Sequence, residues 1–268
     1  MRMILCPLAS GSSGNAVYVS MGETKILVDA GISASRIRAG LRQLGLDVCD
    51  LDGVVITHEH VDHIKGLPVF CRKYNIPVYA NGGTWQGILA RDGNIPGECR
   101  RIINTGEEFY VGGVCVRPFP IPHDAADPVG FVFSCGRGRL GVATDIGHVD
   151  DRWLSELEGC QALVLEANHD VGLLQSGPYP ARLKKRILSR KGHLCNEDSA
   201  RALAALAANG TQAAFLAHLS GENNLPELAT AAAGKALEAA GLQVGEDFWL
   251  GVARKDCISD LLVLEVAE

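Results

Sequence analysis

His58-Glu59-His60-Val61-Asp62-His63 places three imidazoles and a carboxylate within six residues. Neutral imidazole and carboxylate form a donor set for Zn, Mn, Fe or Ni, with no soft sulfur among them. The motif follows Val54-Val55-Ile56-Thr57, an apolar β-branched run that reads as a buried strand, and leads into Ile64-Lys65-Gly66-Leu67, which reads as the opening of a helix. Across a strand end, a loop and a helix start, alternate side chains point to different sides. His58 and His60 can then reach one metal ion while Asp62 and His63 reach a second. A polar, solvated loop that happens to be rich in His is the competing reading. The alternating and adjacent placement of all four side chains weighs against it.

The elements that must position such a motif alternate along the chain. Strands are expected at Met1–Cys6, Val17–Val19, Lys25–Asp29, Val54–Thr57 and Pro77–Ala80, with a helix over Ser35–Leu44 behind Ser33 as N-cap. In the second half, Val129–Cys135 and Arg139–Asp145 read as neighbouring strands across Gly136-Arg137-Gly138. Ala162–Glu166, Ala213–His218 and Asp260–Val266 read as further strands, and Glu197–Ala208 and Pro226–Ala240 as helices. With 268 residues, 47% of them apolar, and no low-complexity linker, the expectation is one α/β domain covering residues 1–268. No residue-level repeat is visible, although the halves could be related in structure. Nine cysteines without a Cys-x-x-Cys pair argue against a disulfide framework or a zinc ribbon. No stretch of about eighteen apolar residues and no charged-then-apolar leader is present, so the expectation is a cytoplasmic protein without a membrane span.

The pattern His-x-His-x-Asp-His after a buried strand resembles the second signature of the metallo-β-lactamase fold. Ile26-Leu27-Val28-Asp29-Ala30-Gly31 resembles its first, an Asp that supports the site without being a ligand. Pro122-His123-Asp124, Ala143-Thr144-Asp145 and Leu216-Ala217-His218 fit the remaining places in order, each ending an apolar run. The resemblance spans Ala9 to His218 and implies a four-layer αββα sandwich. It also implies two divalent ions, one held by His58, His60 and His123, the other by Asp62, His63 and His218, with Asp145 bridging. Two ions about 3.5–4 Å apart can activate water and stabilise charge on phosphorus, with Asp62 orienting the attacking group.

Two further segments narrow the resemblance. Leu163-Val164-Leu165-Glu166-Ala167-Asn168-His169-Asp170 is similar to the Glu-containing strand end of ribonuclease Z and PhnP-type phosphodiesterases, and Gly192-His193-Leu194 to their Gly-His turn before a helix. The resemblance implies that Glu166 orients His193, which protonates the leaving oxygen. A surface His ahead of a helix is the plainer reading. The opening Leu8-Ala9-Ser10-Gly11-Ser12-Ser13-Gly14-Asn15-Ala16, with Pro128-Val129-Gly130 after the His123 motif, looks like the YycJ/WalJ subfamily. The activity implied is a 5′→3′ exonuclease on double-stranded DNA, linked to repair. Ser12, Ser13 and Asn15 are candidates for substrate binding, because a Gly/Ser turn can aim backbone N–H groups at an anion; such a turn is also often just tight. His148 is expected near the site but not as a ligand, and His169 has no assigned role.

A net charge of −6 does not advertise a nucleic-acid protein. Yet Arg182, Lys184, Lys185, Arg186, Arg190 and Lys191 place six cations in ten residues directly before His193. Leu183 and Ile187 share one helical face, expected to anchor the helix, while Arg182, Lys185 and Arg186 lie on a neighbouring face that could meet phosphates; a solvated face is equally compatible. Tyr179, between Pro178 and Pro180, could stack on a base or stiffen the helix entry. Two other functions fit less well. A hydrolase of thioesters or lactams would favour a neutral, apolar pocket, and a non-catalytic nucleic-acid binder would not need the full donor set. The 73 positions from Asp145 to His218 leave no room for an inserted clamp domain. The oligomeric state is open.

Overall fold

Strands such as Ala16–Met21 and Ala162–Glu166 are buried at every position, so they need cover on both faces. The computed structural model, which describes residues 1–266, supplies it with two seven-stranded sheets stacked between outer helices. In chain order the elements of the first half are β1 (Arg2–Ala9), β2 (Ala16–Met21), β3 (Thr24–Val28), α1 (Ala34–Gln43), β4 (Gly53–Val55), α2 (Val61–Ile64), α3 (Leu67–Tyr74), β5 (Val78–Asn81), α4 (Gly82–Arg91) and β6 (Arg100–Ile103). The second half holds β7 (Phe109–Val111), β8 (Val114–Pro120), β9 (Val129–Cys135), β10 (Gly138–Ala143), α5 (Asp151–Leu157), β11 (Ala162–Glu166), α6 (Val171–Ser176), α7 (Ala181–Ile187), α8 (Asn196–Ala208), β12 (Ala213–Ala217), α9 (Pro226–Ala239), β13 (Trp249–Val252) and β14 (Leu262–Glu265).

The sheet orders are β14-β1-β2-β3-β4-β5-β6 and β7-β8-β9-β10-β11-β12-β13. Each has three antiparallel pairings followed by three parallel ones. The halves are therefore alike in topology, and β14 returns to pair with β1 in the first sheet. Period-two alternation divides the cores. Val17, Val19, Ile26 and Val28 meet Phe131, Phe133, Val142 and Phe215 between the sheets. Tyr18, Leu27 and Ile56 pack outward against Ile37, Leu41, Phe70 and Trp85, and Leu163, Leu165 and Leu216 against Trp153, Leu203 and Leu237. This is the αββα sandwich.

The expected strands and helices are all present, with ends displaced by one or a few residues; β9 and β11 match at both ends. The first strand runs on to Ala9, and Ser33 caps α1 by accepting from the Arg36 N–H at 3.3 Å. The helix expected to open at Ile64–Leu67 is α3, which starts at Leu67 after a break from α2; β6, β7, β8, β13 and α4 to α6 had not been expected. No helix among the described residues is long and apolar enough to cross a membrane.

What matters for the site is where the parallel strands stop. Asp29 follows β3, His58 lies just beyond β4, Asp145 follows β10, Glu166 ends β11 and His218 follows β12. Asp29, Asp145 and His218 all have φ near +60°, a left-handed conformation that is uncommon for non-glycine residues. Such strain persists only where surrounding structure over-determines it. Here it turns each side chain off the strand line into the cleft between the sheets. Asp29 and Asp145 occupy equivalent turns of the two halves, at φ 62° and 63°.

Candidate metal centre

The first half builds its share around Asp29. One carboxylate oxygen accepts from the Thr57 backbone N–H at 2.8 Å; the other accepts from Thr57 Oγ1 at 2.9 Å and His63 Nδ1 at 2.7 Å. With its proton given to Asp29, Thr57 Oγ1 accepts from His58 Nδ1 at 3.0 Å. Both imidazoles thus spend Nδ1–H on the scaffold, which fixes their tautomers and leaves Nε2 for a ligand. The Asp29 turn also presses on the motif. A Cβ at Gly31 would collide with the Asp62 carbonyl oxygen, and Ala30 N donates to His63 O at 2.8 Å.

The second half repeats the device with Glu166, fully buried at the end of β11. Its Oε2 accepts from the backbone N–H groups of Ile146 at 2.7 Å and Leu194 at 3.0 Å, and its Oε1 from His193 Nδ1 and His218 Nδ1, both at 2.8 Å. Glu166 therefore hydrogen-bonds both His193, the partner expected for it, and His218, which was not foreseen. His123 donates Nδ1–H to the Gly192 carbonyl at 3.1 Å, so the Gly-His turn supports two histidines. A Cβ at Gly192 would strike the Ile187 carbonyl, so only glycine fits this turn.

Between the halves, ligand-type atoms of His58, His60 and His123 lie within 4.8 Å of one another, as do those of Asp62, His63 and His218. Asp145 sits against members of both groups, 3.2 Å from His63 Nε2 and 3.7 Å from His123 Nε2. Asp62 Oδ2 is 3.6 Å from His63 Nε2 and 3.7 Å from His218 Nε2. His58 Nε2, His218 Nε2 and Asp145 Oδ2 are buried without a hydrogen-bond partner. Such orphans are costly, and three converging on one cleft are explained by cations. The nitrogen and oxygen donors gathered there fit divalent ions.

Charge agrees with that fit. Burial works against ionisation of Asp145, but the His218 and His63 imidazoles outweigh it and hold the carboxyl well below its ordinary range. Burial likewise opposes charge on Glu166, and His193 and His218 still bring it down to about 2. His218 is pushed up to about 10, because Asp145, Asp62 and Glu166 overcome its burial. Asp145 and Asp29 overcome burial at His63 too and raise it well above the usual value. His58 is lowered by burial and by His63. The cage is thus an anionic frame that attracts positive charge.

A cavity of about 270 Å³ opens beside the cage. Of the residues expected to bind substrate, Ser12, Tyr179 and Arg186 line it. Ser13 is exposed and does not. Asn15 is buried instead: its Oδ1 accepts from Gly11 N at 2.8 Å and its Nδ2 lies 3.1 Å from His63 Nε2, so it braces the Ser/Gly turn against the cage. Arg182 and Lys185 are exposed and stand outside the cavity. Arg186 is held by Asp124 in a two-pronged pair, Nε–Oδ2 2.5 Å and Nη2–Oδ1 2.9 Å. Leu183 and Ile187, the stripe expected to anchor the helix, also line the cavity, and Ile187 is buried. Lys184 Nζ donates to the carbonyls of Gln175 and Gly177, both at 2.7 Å. His148 pairs with Arg190 and is not part of the cage. His169 is buried with both ring nitrogens unpartnered. Ser220 and Asn168 also line the cavity; no spacing signal marked Ser220, and Asn168 stood out only as part of the Glu166 motif.

Residues 24–219 match the beta-lactamase superfamily domain. An exodeoxyribonuclease YycJ of Bacillus anthracis is 45% identical over 241 residues, covering 90% of this chain and 91% of that one. An exodeoxyribonuclease WalJ of Streptococcus pneumoniae is 42% identical over 243 residues, 90% of each chain. The metallo-beta-lactamase fold protein YhfI from Bacillus subtilis superposes with a TM-score of 0.72 at 13% identity, covering 98% of this chain and 99% of that one, a likeness of fold alone. The chain belongs to the beta-lactamase superfamily and, within it, to the family of the YycJ and WalJ exodeoxyribonucleases.

Proposed function

We propose that this protein is a phosphodiesterase with two divalent ions that removes nucleotides from DNA, acting 5′→3′ on double-stranded ends in the cytoplasm, with repair as its setting. The carrying observation is His193. It lines the cavity beside the cage, and its Nδ1 is tied to the buried Glu166 carboxylate. A hydrolase that only polarises a carbonyl has less use for such a group. A phosphodiester, which expels an alkoxide, needs a proton donor there. The relatives' naming as exodeoxyribonucleases and the Arg186 guanidinium at the cavity wall support the same reading.

In this scheme His58, His60 and His123 would hold one ion, and Asp62, His63 and His218 the other, with Asp145 shared. The all-nitrogen-and-oxygen donor set suits Zn, Mn, Fe or Ni. When bound, the ions would supply an activated water and Lewis-acid stabilisation of charge on the phosphoryl oxygens. Asp62, a quarter exposed at its side chain, orients the attacking water. Arg186, prevented from swinging by Asp124, neutralises a phosphate oxygen. Glu166, by accepting from His193 Nδ1, holds the ring so that its other nitrogen passes a proton to the departing oxygen. Ser12 offers hydrogen bonds to a flanking phosphate. The nine free thiols suit a reducing compartment.

The test is direct. Metal-loaded protein is incubated with end-labelled duplex and single-stranded DNA and RNA. Mononucleotides released stepwise from 5′ ends of duplex DNA support the proposal. Internal fragments, or a preference for RNA, would overturn it.

A further inference from the structure

The cavity wall contributed by α7 and the bend before it does not resemble the rest. His60, Asp62 and Asp145 share the cavity lining with Tyr179, in the proline-flanked bend before α7, and with Leu183 and Ile187, one turn apart on α7 itself. Apolar surface serves neither a metal ion nor a phosphate, and leaving it against water is unfavourable. The wall is also held in place. Pro178 and Pro180 restrict the backbone on either side of Tyr179. Lys184 ties α7 to the carbonyls of Gln175 and Gly177, and Arg186 ties it to Asp124. A rigid aromatic and aliphatic face set next to a phosphate-cutting cage matches one part of a nucleotide, the flat face of its base.

Size gives the second constraint. At about 270 Å³ the space is just below the range of small-molecule sites, roughly 300 to 1,000 Å³. It suits a single nucleotide and not a base pair. We propose, resting on the nuclease reading, that the cavity takes one unpaired terminal nucleotide with its base against Tyr179 and Leu183, so that the end of a duplex opens before it is cut. Among Tyr179, Leu183 and Ile187 only Tyr179 carries a polar group, so recognition is by stacking and tolerates any base. Opening costs least where the terminal base is mismatched or already single-stranded, so the state of the end, more than its sequence, sets the rate.

The experiment uses the metal-loaded full chain and labelled duplexes that end in a G·C pair, a mismatch or an abasic residue. Wild-type protein is expected to release the first nucleotide faster from mismatched than from G·C-paired ends. It should also prefer a base-bearing mismatched end to an abasic one. In Tyr179→Ala that preference, measured as a ratio of kcat/KM values, should shrink by roughly 5- to 150-fold, the range for losing one base–aromatic stack. Tyr179→Phe should retain it, which separates stacking from a folding defect. Equal rates on paired and mismatched ends, or an undiminished preference in Tyr179→Ala, would overturn the base site while leaving the nuclease reading intact. Failure of wild-type protein to release nucleotides from any DNA, with a nitrophenyl phosphodiester still cleaved, would overturn the nuclease reading and this proposal with it.

Discussion

Glu166→Gln preserves size and removes one charge, and the hydrogen bonds around Glu166 dictate what must follow. The carboxylate accepts from four donors, two backbone N–H groups at Oε2 and two imidazole Nδ1–H groups at Oε1. An amide has only one accepting oxygen. If its NH₂ faces the Ile146 and Leu194 N–H groups, two buried donors lose their partner. At about 1–3 kcal/mol each, that destabilises the fold by about 2–6 kcal/mol. A chain of this size then loses roughly 4–24 °C in Tm. If the NH₂ instead faces the imidazoles, His193 and His218 must move their protons to Nε2, and His218 can no longer ligate through that atom. The variant is therefore expected to lose thermal stability, bound metal, or both, alongside its activity. Elemental analysis and thermal melting of the purified variant decide the matter. Two tightly held ions together with an unchanged Tm would refute the reasoning and would leave Glu166 a partner of His193 alone.

His193→Ala should retain its metal yet slow cleavage of natural DNA by about 10²–10⁴-fold, with a much smaller loss on a nitrophenyl phosphodiester whose leaving group needs no proton; equal losses would mean that His193 only positions substrate. Metal affinity should rise with pH, because His218 and His63 are proton-bearing in the metal-free cage and must release those protons on binding, which calorimetry in buffers of different ionisation enthalpy would detect. For His218, with a folded value of about 10 against about 6.5 unfolded, the stabilisation is full below pH ~6.5 and lost as pH rises through ~10. Metal-free protein in chelator should accordingly lose Tm from pH 7 to 10 faster than the loaded form, and parallel curves would contradict this. Reversing Arg182 and Lys185 to Glu should lower the log–log salt slope of duplex binding by about 0.9 for each phosphate no longer neutralised; an unaltered slope would make them ordinary solvated charges.

The cage was legible because most of its features are local. A strand end followed by His58, His60, Asp62 and His63 carries its own spacing, and Asp29, Asp145 and His218 each close an apolar run. Their roles came from resemblance, since nothing in the spacing says that β3, β4, β10 and β12 stop at one cleft. What stayed hidden is non-local. The hold of Glu166 on His218 and of Asp124 on Arg186 joins residues 52 and 62 positions apart. The stripe Leu183–Ile187 was read correctly as one face of a helix, but periodicity gives the phase of a face and not what it meets. Short strands such as β7, three residues long, bury too few positions to leave a pattern. Asn15 misled because a turn rich in Gly, Ser and Asn looks the same whether it greets a ligand or braces a neighbour.

The matched turns at Asp29 and Asp145 have a consequence for how the protein is assembled. Each half contributes one such carboxylate, and neither half holds a full set of donors. His58 and His218 lie 160 positions apart in the sequence, so ions bound between them would act as a long-range cross-link, closing a loop much as a disulfide does. At the far edge of the first sheet, pairing of Arg2 with Glu265 fastens the two ends of the chain by backbone alone. Ions that bind only the docked halves would stabilise the docked state by mass action. Chelation would then act first on the seam, loosening one sheet from the other before either sheet comes apart.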